Sequence, residues 1–307
     1  MPQVKISGAE RLLGTAAAGE GPAGLDLEYD TFGDPADPAL LLVMGLGTQL
    51  TAWPEPFCAA LAAAGFHVVR FDNRDIGLST LIETDIQPDL GAILSGDHSS
   101  VAYLLSDLAL DTVGLLDALG IDAAHVVGAS MGGMIAQQLV IDHPSRVRSL
   151  CSIMSTTGDR AVGQPAPETL SFLFAPPATD RAEAIDRGVQ LFGVIGSPGY
   201  PTPLDELRQR VADAYDRSYR PAGTLRQLAA IIASPDRTAA LAATAVPAAV
   251  IHGDSDRLVD VSGGRATAAA LPATEPLIVE GMGHDLPAAL WPTLVEAIVA
   301  NARRAAA

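Results

Sequence analysis

Basic residues, cysteines, aromatics and long apolar runs are all scarce in this 307-residue chain, and each scarcity removes a class of function. Lys and Arg number 19 against 36 Asp and Glu, a formal charge of −17. A phosphate-backbone binder needs a basic face, and so does a protein drawn to an anionic bilayer, so nucleic-acid and membrane partners are both disfavoured. The two cysteines, Cys58 and Cys151, stand far apart in apolar segments and make neither a metal nor a redox spacing. They read as small buried hydrophobes. The opening MPQVKISGAERLLG lacks the apolar stretch of a secretory signal. The densest apolar segment, 39–46, is far below the roughly 20 residues that span a bilayer. A cytoplasmic protein is expected. What is plentiful is apolar surface: 49% of residues are hydrophobic and 18% charged, which suits a large buried core and excludes disorder as the main state.

Short apolar runs alternate with longer amphipathic stretches through the first half. Leu40–Met44, His67–Phe71, Ala124–Gly128 and Arg148–Met154 have the continuous character of buried strands. Between them, Trp53–Ala64, Val101–Leu119 and Met131–Ile141 carry helical periodicity, the first two closed by Gly65 and Gly120. Such strands separated by helices predict an α/β chain with a mostly parallel central sheet covered on both faces. The rhythm breaks from about Ser155 to Ala245, where helical stretches are punctuated by prolines and no good strand appears. It resumes with a strand at Val246–Ile251, a helix at Ser262–Leu271, a strand at Pro276–Glu280 and a last helix ending near Ala300. The division this predicts is an N-terminal strand and connector over 1–24, a core over 25–154 and 246–307, and a helical cap over 155–245. That cap contains nine arginines and ten acids, so nearly all of the net charge lies elsewhere. Most of these arginines are expected on solvated helix faces or in local pairs. The competing idea is that one of them faces the pocket.

Gly128-Ala-Ser130-Met-Gly132 is the single G-x-S-x-G in the chain. It follows a strand and opens a helix, the context that a nucleophile elbow requires. The glycines leave room for a sharp turn, and the helix N-terminus directs free N–H groups toward the reacting oxygen. Serine is a weak nucleophile and needs a base held by an acid. Of six histidines, His67 and His125 begin strands, at the end of the sheet away from the elbow. His143 lies past the elbow helix, His98 in a polar loop and His252 at a strand tip. His284 follows a late strand in Gly281-Met-Gly-His284, at the carboxyl edge where α/β sheets gather their sites. The acid should follow the preceding strand, where Asp254 and Asp256 are available. Asp256 is favoured because the turn needs a residue or two after Gly253 to return a carboxylate over the sheet. Asp254 could cap the turn through its backbone. Asp285 is a poor orienter, since a sequence neighbour points away. Oxyanion donors are expected from the N–H of Met131, after the nucleophile, and of Leu46, in the loop following Leu40–Met44.

These segments together resemble the α/β-hydrolase superfamily over nearly the whole chain. Phe32–Met44, Phe71–Ser79, His125–Gly132 and Gly281–His284 look like bacterial serine esterases of the aclacinomycin-methylesterase type. Met44-Gly45 departs from the His-Gly of many relatives, but the donor in that loop is a backbone group. The resemblance implies Ser130 as nucleophile, Asp256 as acid, His284 as base and Leu46 and Met131 as oxyanion donors. It also implies a helical cap, a small-molecule ester substrate and no metal or organic cofactor. Haloalkane dehalogenases and epoxide hydrolases use Asp where this chain has Ser130, which argues against their chemistries. Carbon–carbon hydrolases of ring-cleavage products and cofactor-free haloperoxidases share the machinery and remain alternatives. Trp53, Phe172, Phe174, Phe192 and Ile195 are candidates to line a hydrophobic substrate pocket, against the competing reading that they fill the cap's own core.

Overall fold

The computed structural model describes residues 1–6 and 24–305. Most of the expected 1–24 segment, residues 7–23, therefore lies outside the described residues. Eight strands form one sheet in the order β1-β2-β4-β3-β5-β6-β7-β8. The first two, β1 (Gln3–Ile6) and β2 (Leu25–Phe32), pair antiparallel, and β2 pairs antiparallel with β4 (His67–Phe71). From β4 onward, through β3 (Ala39–Val43), β5 (Ala124–Ala129), β6 (Val147–Ile153), β7 (Ala248–Gly253) and β8 (Pro276–Val279), every pairing is parallel. The run in β3 is apolar throughout because both faces are covered. Ala39, Leu41 and Val43 enter one core, and Leu40 and Leu42 the other. The first core lies under α3 (Leu105–Ala118), α4 (Met131–Asp142) and α10 (Val261–Ala270). The second lies under α1 (Glu55–Ala63) and α11 (Trp291–Arg304). Cys58 and Cys151 are buried and free within the second.

Several boundaries differ from the sequence expectation. The helix expected at Val101 starts at Leu105, and the Leu104 N–H donates to the Asp107 carboxylate at 2.8 Å. Val101 and Tyr103 are buried in extended chain, so their apolar character imitated another helical turn. The helix expected at Trp53 starts at Glu55, because Pro54 occupies its N-cap. A short helix, α2 (Leu90–Leu94), went unanticipated. Among the described residues no helix is long and apolar enough to cross a membrane.

Between β6 and β7 the chain forms α5 (Pro167–Leu173), α6 (Arg181–Ile195), α7 (Leu204–Arg217), α8 (Pro221–Ala233) and α9 (Thr238–Leu241), with no strand. Its arginines divide between the expected surface sites and local pairs and a set that the sequence did not mark, which turns inward. Arg226 is buried and grips the buried Asp75 with two hydrogen bonds, 2.8 and 2.7 Å; the Tyr103 hydroxyl donates to the same carboxylate. Arg217 pairs with the buried Asp72 at 2.8 Å, and Arg220 donates to the Ser79 carbonyl at 2.9 Å. Arg237 donates to the Thr156 carbonyl and the Gln137 amide, both at 3.1 Å. Its burial, with no carboxylate in hydrogen-bond reach, pulls the guanidinium down to about 10. Four of the nine arginines thus turn inward. Arg181, Arg187 and Arg208 instead pair with acids of the same helical block at its surface.

Candidate active site

Ser130 sits between β5 and α4 with φ 57° and ψ −122°, a backbone conformation that costs a non-glycine residue of order 1–3 kcal/mol. The surroundings hold it there. Its N–H donates to the Ile153 carbonyl at 2.9 Å, and its carbonyl accepts from the Gly133 N–H at 2.9 Å and the Ser155 hydroxyl at 2.8 Å. The flanking glycines are required by close approach. A Cβ on Gly128 would lie 2.1 Å from the Gly132 carbonyl oxygen, and one on Gly132 would lie 2.0 Å from that of Val43.

The loop after β3 reaches the same point. Gly45 packs against Ser130, and the loop is closed by Thr48, whose N–H and hydroxyl both donate to the Gly45 carbonyl. Gln227 of α8 clamps it from above: its Oε1 accepts the Gly47 N–H at 3.0 Å, while its Nε2 donates to the Arg74 carbonyl at 3.0 Å. Among the described residues neither the Leu46 nor the Met131 N–H finds an acceptor. Two free donors thus sit on the loop and the helix end that meet at Ser130.

Asp256 and His284 are brought together across the turns after β7 and β8. The imidazole Nδ1 lies 2.7 Å from Asp256 Oδ2. Both residues are buried, and Oδ1 of the same carboxylate accepts the N–H groups of Leu258 and Val259, each at 2.9 Å. Burial alone would push the Asp256 carboxyl up. The facing His284 and His252, with their hydrogen bonds, more than offset this and hold it well below the usual carboxylate range. A carboxylate so placed stays ionised and can fix one imidazole tautomer. Asp254 has a different task from the one expected: its side chain crosses to the Gly281 N–H at 2.8 Å and braces the acid turn against the histidine turn. Asp285 points away from the imidazole and toward the helical block, where it accepts the Ser197 N–H and hydroxyl. The histidine loop is also tied there by the His284 N–H to the Ile195 carbonyl (2.6 Å) and the Gly283 N–H to the Ser197 hydroxyl (2.9 Å).

The substrate-lining candidates scatter. Trp53 is a core residue: it is fully buried and stacked on Phe57 with ring centroids 5.6 Å apart. Phe174 is 50% exposed and Phe172 half-buried at the end of α5. Phe192 is half-buried with the Arg210 guanidinium over its ring, and Ile195 is buried beside the histidine loop. Of the five, only Ile195 is hydrogen-bonded to the site, through its carbonyl. Sequence reasoning overlooked Gln227, Ser197 and the Asp72–Asp75 cluster. The last had a signal, four polar residues (Asp72-Asn-Arg-Asp75) directly after an apolar strand; a lone Gln or Ser on a helical block had none.

A family model described as the alpha/beta hydrolase fold matches residues 38–287. The chain belongs to this family. It is 31% identical over 296 residues to rhodomycin D methylesterase DauP of Streptomyces sp. strain C5, a match covering 89% of this chain and 93% of that one. It is equally similar, 31% over 297 residues with the same coverage, to rhodomycin D methylesterase DnrP of Streptomyces peucetius. Among solved structures, this hydrolase fold superposes on a meta-cleavage product hydrolase from Pseudomonas fluorescens IP01 with a TM-score of 0.71. The two are 16% identical, and the match covers 98% of this chain and 97% of that one.

Proposed function

We propose that this chain is a carboxylic-ester hydrolase working through Ser130, His284 and Asp256 on a small to medium hydrophobic or aromatic ester, with methyl esters of aromatic acids foremost. The observation that carries the reading is the 2.7 Å His284–Asp256 contact on the sheet edge that also holds the strained Ser130. In this mechanism the Ser130 hydroxyl adds to the ester carbonyl carbon while His284 Nε2 takes its proton. The carbonyl oxygen becomes an oxyanion on the N–H groups of Leu46 and Met131. Asp256 holds the imidazole and stabilises its charged form. Collapse breaks the carbon–alkoxy bond, and His284 returns the proton to the departing alcohol. Water, deprotonated by His284, then splits the acyl-enzyme into the acid and free Ser130.

The helical block over 155–245 acts as a cap on the core formed by 25–154 and 246–307, and its similarity to the two methylesterases supports an ester as substrate. The test is a turnover panel of p-nitrophenyl esters, aromatic methyl esters and a vinylogous diketone. Ester turnover that exceeds diketone cleavage, and falls by about 10⁴ in Asp256→Asn, is the expected outcome. Preferential cleavage of the diketone would move the reading to carbon–carbon hydrolysis.

A further inference from the structure

His252 lies on β7, and its side chain is completely buried. Its Nε2 is 2.8 Å from the Val259 carbonyl oxygen and 3.3 Å from Asp256 Oδ2. A carbonyl oxygen only accepts, so Nε2 carries the proton and donates it to Val259, with the carboxylate alongside. The other nitrogen, Nδ1, is buried without a partner and presses on Gly264 of α10, where a Cβ would come within 2.4 Å of it. The ring is thus wedged between the helix and the acid turn.

Around Asp256 the donors now number four. Oδ1 takes the Leu258 and Val259 N–H groups, and Oδ2 takes His284 on one side and faces the His252 N–H at 3.3 Å on the other. A buried carboxylate offers about four lone-pair sites, and each one left empty costs free energy. His252 stands at the last of them. It also holds the Val259 carbonyl, so the residue whose N–H grips Oδ1 is gripped in turn. Nothing in packing requires this arrangement: an apolar side chain on a β-strand would serve the core as well, without an orphaned Nδ1.

We propose that His252 is a positioning residue that fixes Asp256 from behind, so that Oδ2 meets the His284 imidazole at a single angle. The proposal rests on the assignment of Asp256 as the acid. Since His252 acts through Asp256, its loss alters kcat and leaves KM nearly unchanged.

The experiment compares His252→Phe, which fills the space without a donor, with His252→Gln, whose amide reaches as far as Nε2. Rates are taken per site titrated with a serine-directed phosphonate, so misfolded protein does not count. We expect kcat to fall about 10- to 100-fold in His252→Phe, with KM within about twofold, and to recover most of that loss in His252→Gln. The low-field proton signal of His284 Nδ1–H should broaden or move in His252→Phe and return in His252→Gln. Should the Phe variant fail to fold, His252→Asn, whose amide is too short to reach Asp256, carries the same expectation. Wild-type kcat per titrated site in the donor-lacking variant, or equal impairment in Phe and Gln, would overturn the proposal. Full activity in Asp256→Asn would instead take down the acid assignment beneath it.

Discussion

The two parts of the helical block use the same residue type to opposite ends. From Arg217 to Arg237, around α8, guanidinium groups point into the core and meet buried acids or carbonyls: Asp72, Asp75, Ser79 and Thr156. In α5–α7, Arg181 meets Asp216, Arg187 meets Glu183 and Arg208 meets Asp186, all at the surface. A buried pair that loses one partner leaves a charge without solvent, whereas an exposed pair trades its partner for water. The α8 side should therefore behave as part of the catalytic frame, and the α5–α7 side as a covering that can move without disturbing it. The outer part is tied to the core at three places: Ile195 and Ser197 at the end of α6 hold the histidine loop, Thr169 of α5 donates to the Arg257 carbonyl at 2.9 Å, and Gln49 donates to the Ala214 carbonyl of α7 at 2.6 Å.

Breaking the inner anchor should have the largest effect. Arg226→Met strands Asp75 in the core and is expected to cost about 3–5 kcal/mol in urea unfolding, with kcat reduced in whatever folds. Gln227→Leu removes the acceptor of the Gly47 N–H without removing a charge. Here the expected change is a fall in kcat on the order of 10-fold with KM little altered, measured by steady-state ester turnover. Arg181→Ala should shift Tm by no more than about 1–2 °C, because both members of that pair are exposed. A shift as large as that of Arg226→Met would dissolve the contrast between the two parts.

The smallest effect is electrostatic. The hydrogen bond from Arg181 holds the Asp216 carboxyl below its ordinary 3.8. A carboxyl lowered by folding stabilises the fold above its unfolded value, and that contribution is lost as pH falls through the lower, folded one. Hydrogen exchange over α6 and α7 should therefore quicken as pH drops below about 3.8, with high salt reducing the difference, while α8 stays protected. Equal quickening in α8 would count against the distinction.

Much of the fold was legible because burial on both faces leaves continuous apolar strands, and those strands are what the sequence shows at Leu40–Met44 and Ala124–Gly128. Glycines at 128 and 132 marked the elbow because close approach admits nothing larger. The pairing of His284 with Asp256, expected from chain order, is present at 2.7 Å. The bracing of the site was not legible. Gln227 reaches Gly47 across 180 residues, and Ser197 reaches Asp285 across 88. No local pattern distinguishes these side chains from solvated neighbours, and an arginine bound for a buried acid is spelled like one bound for water. Trp53 illustrates the converse: its nearness in sequence to the loop after β3 suggested a pocket wall, but the turn before α1 directs the ring onto Phe57.

Intact-mass analysis after treatment with a serine-directed phosphonate tests the proposal that Ser130 is the nucleophile. The elbow's shape comes from its glycines and not from the hydroxyl, so Ser130→Ala should fold as the wild type does. One adduct per chain is expected, mapped by peptide digestion to Ser130, and none in Ser130→Ala. An adduct on another serine, or undiminished labelling of the folded variant, would contradict it.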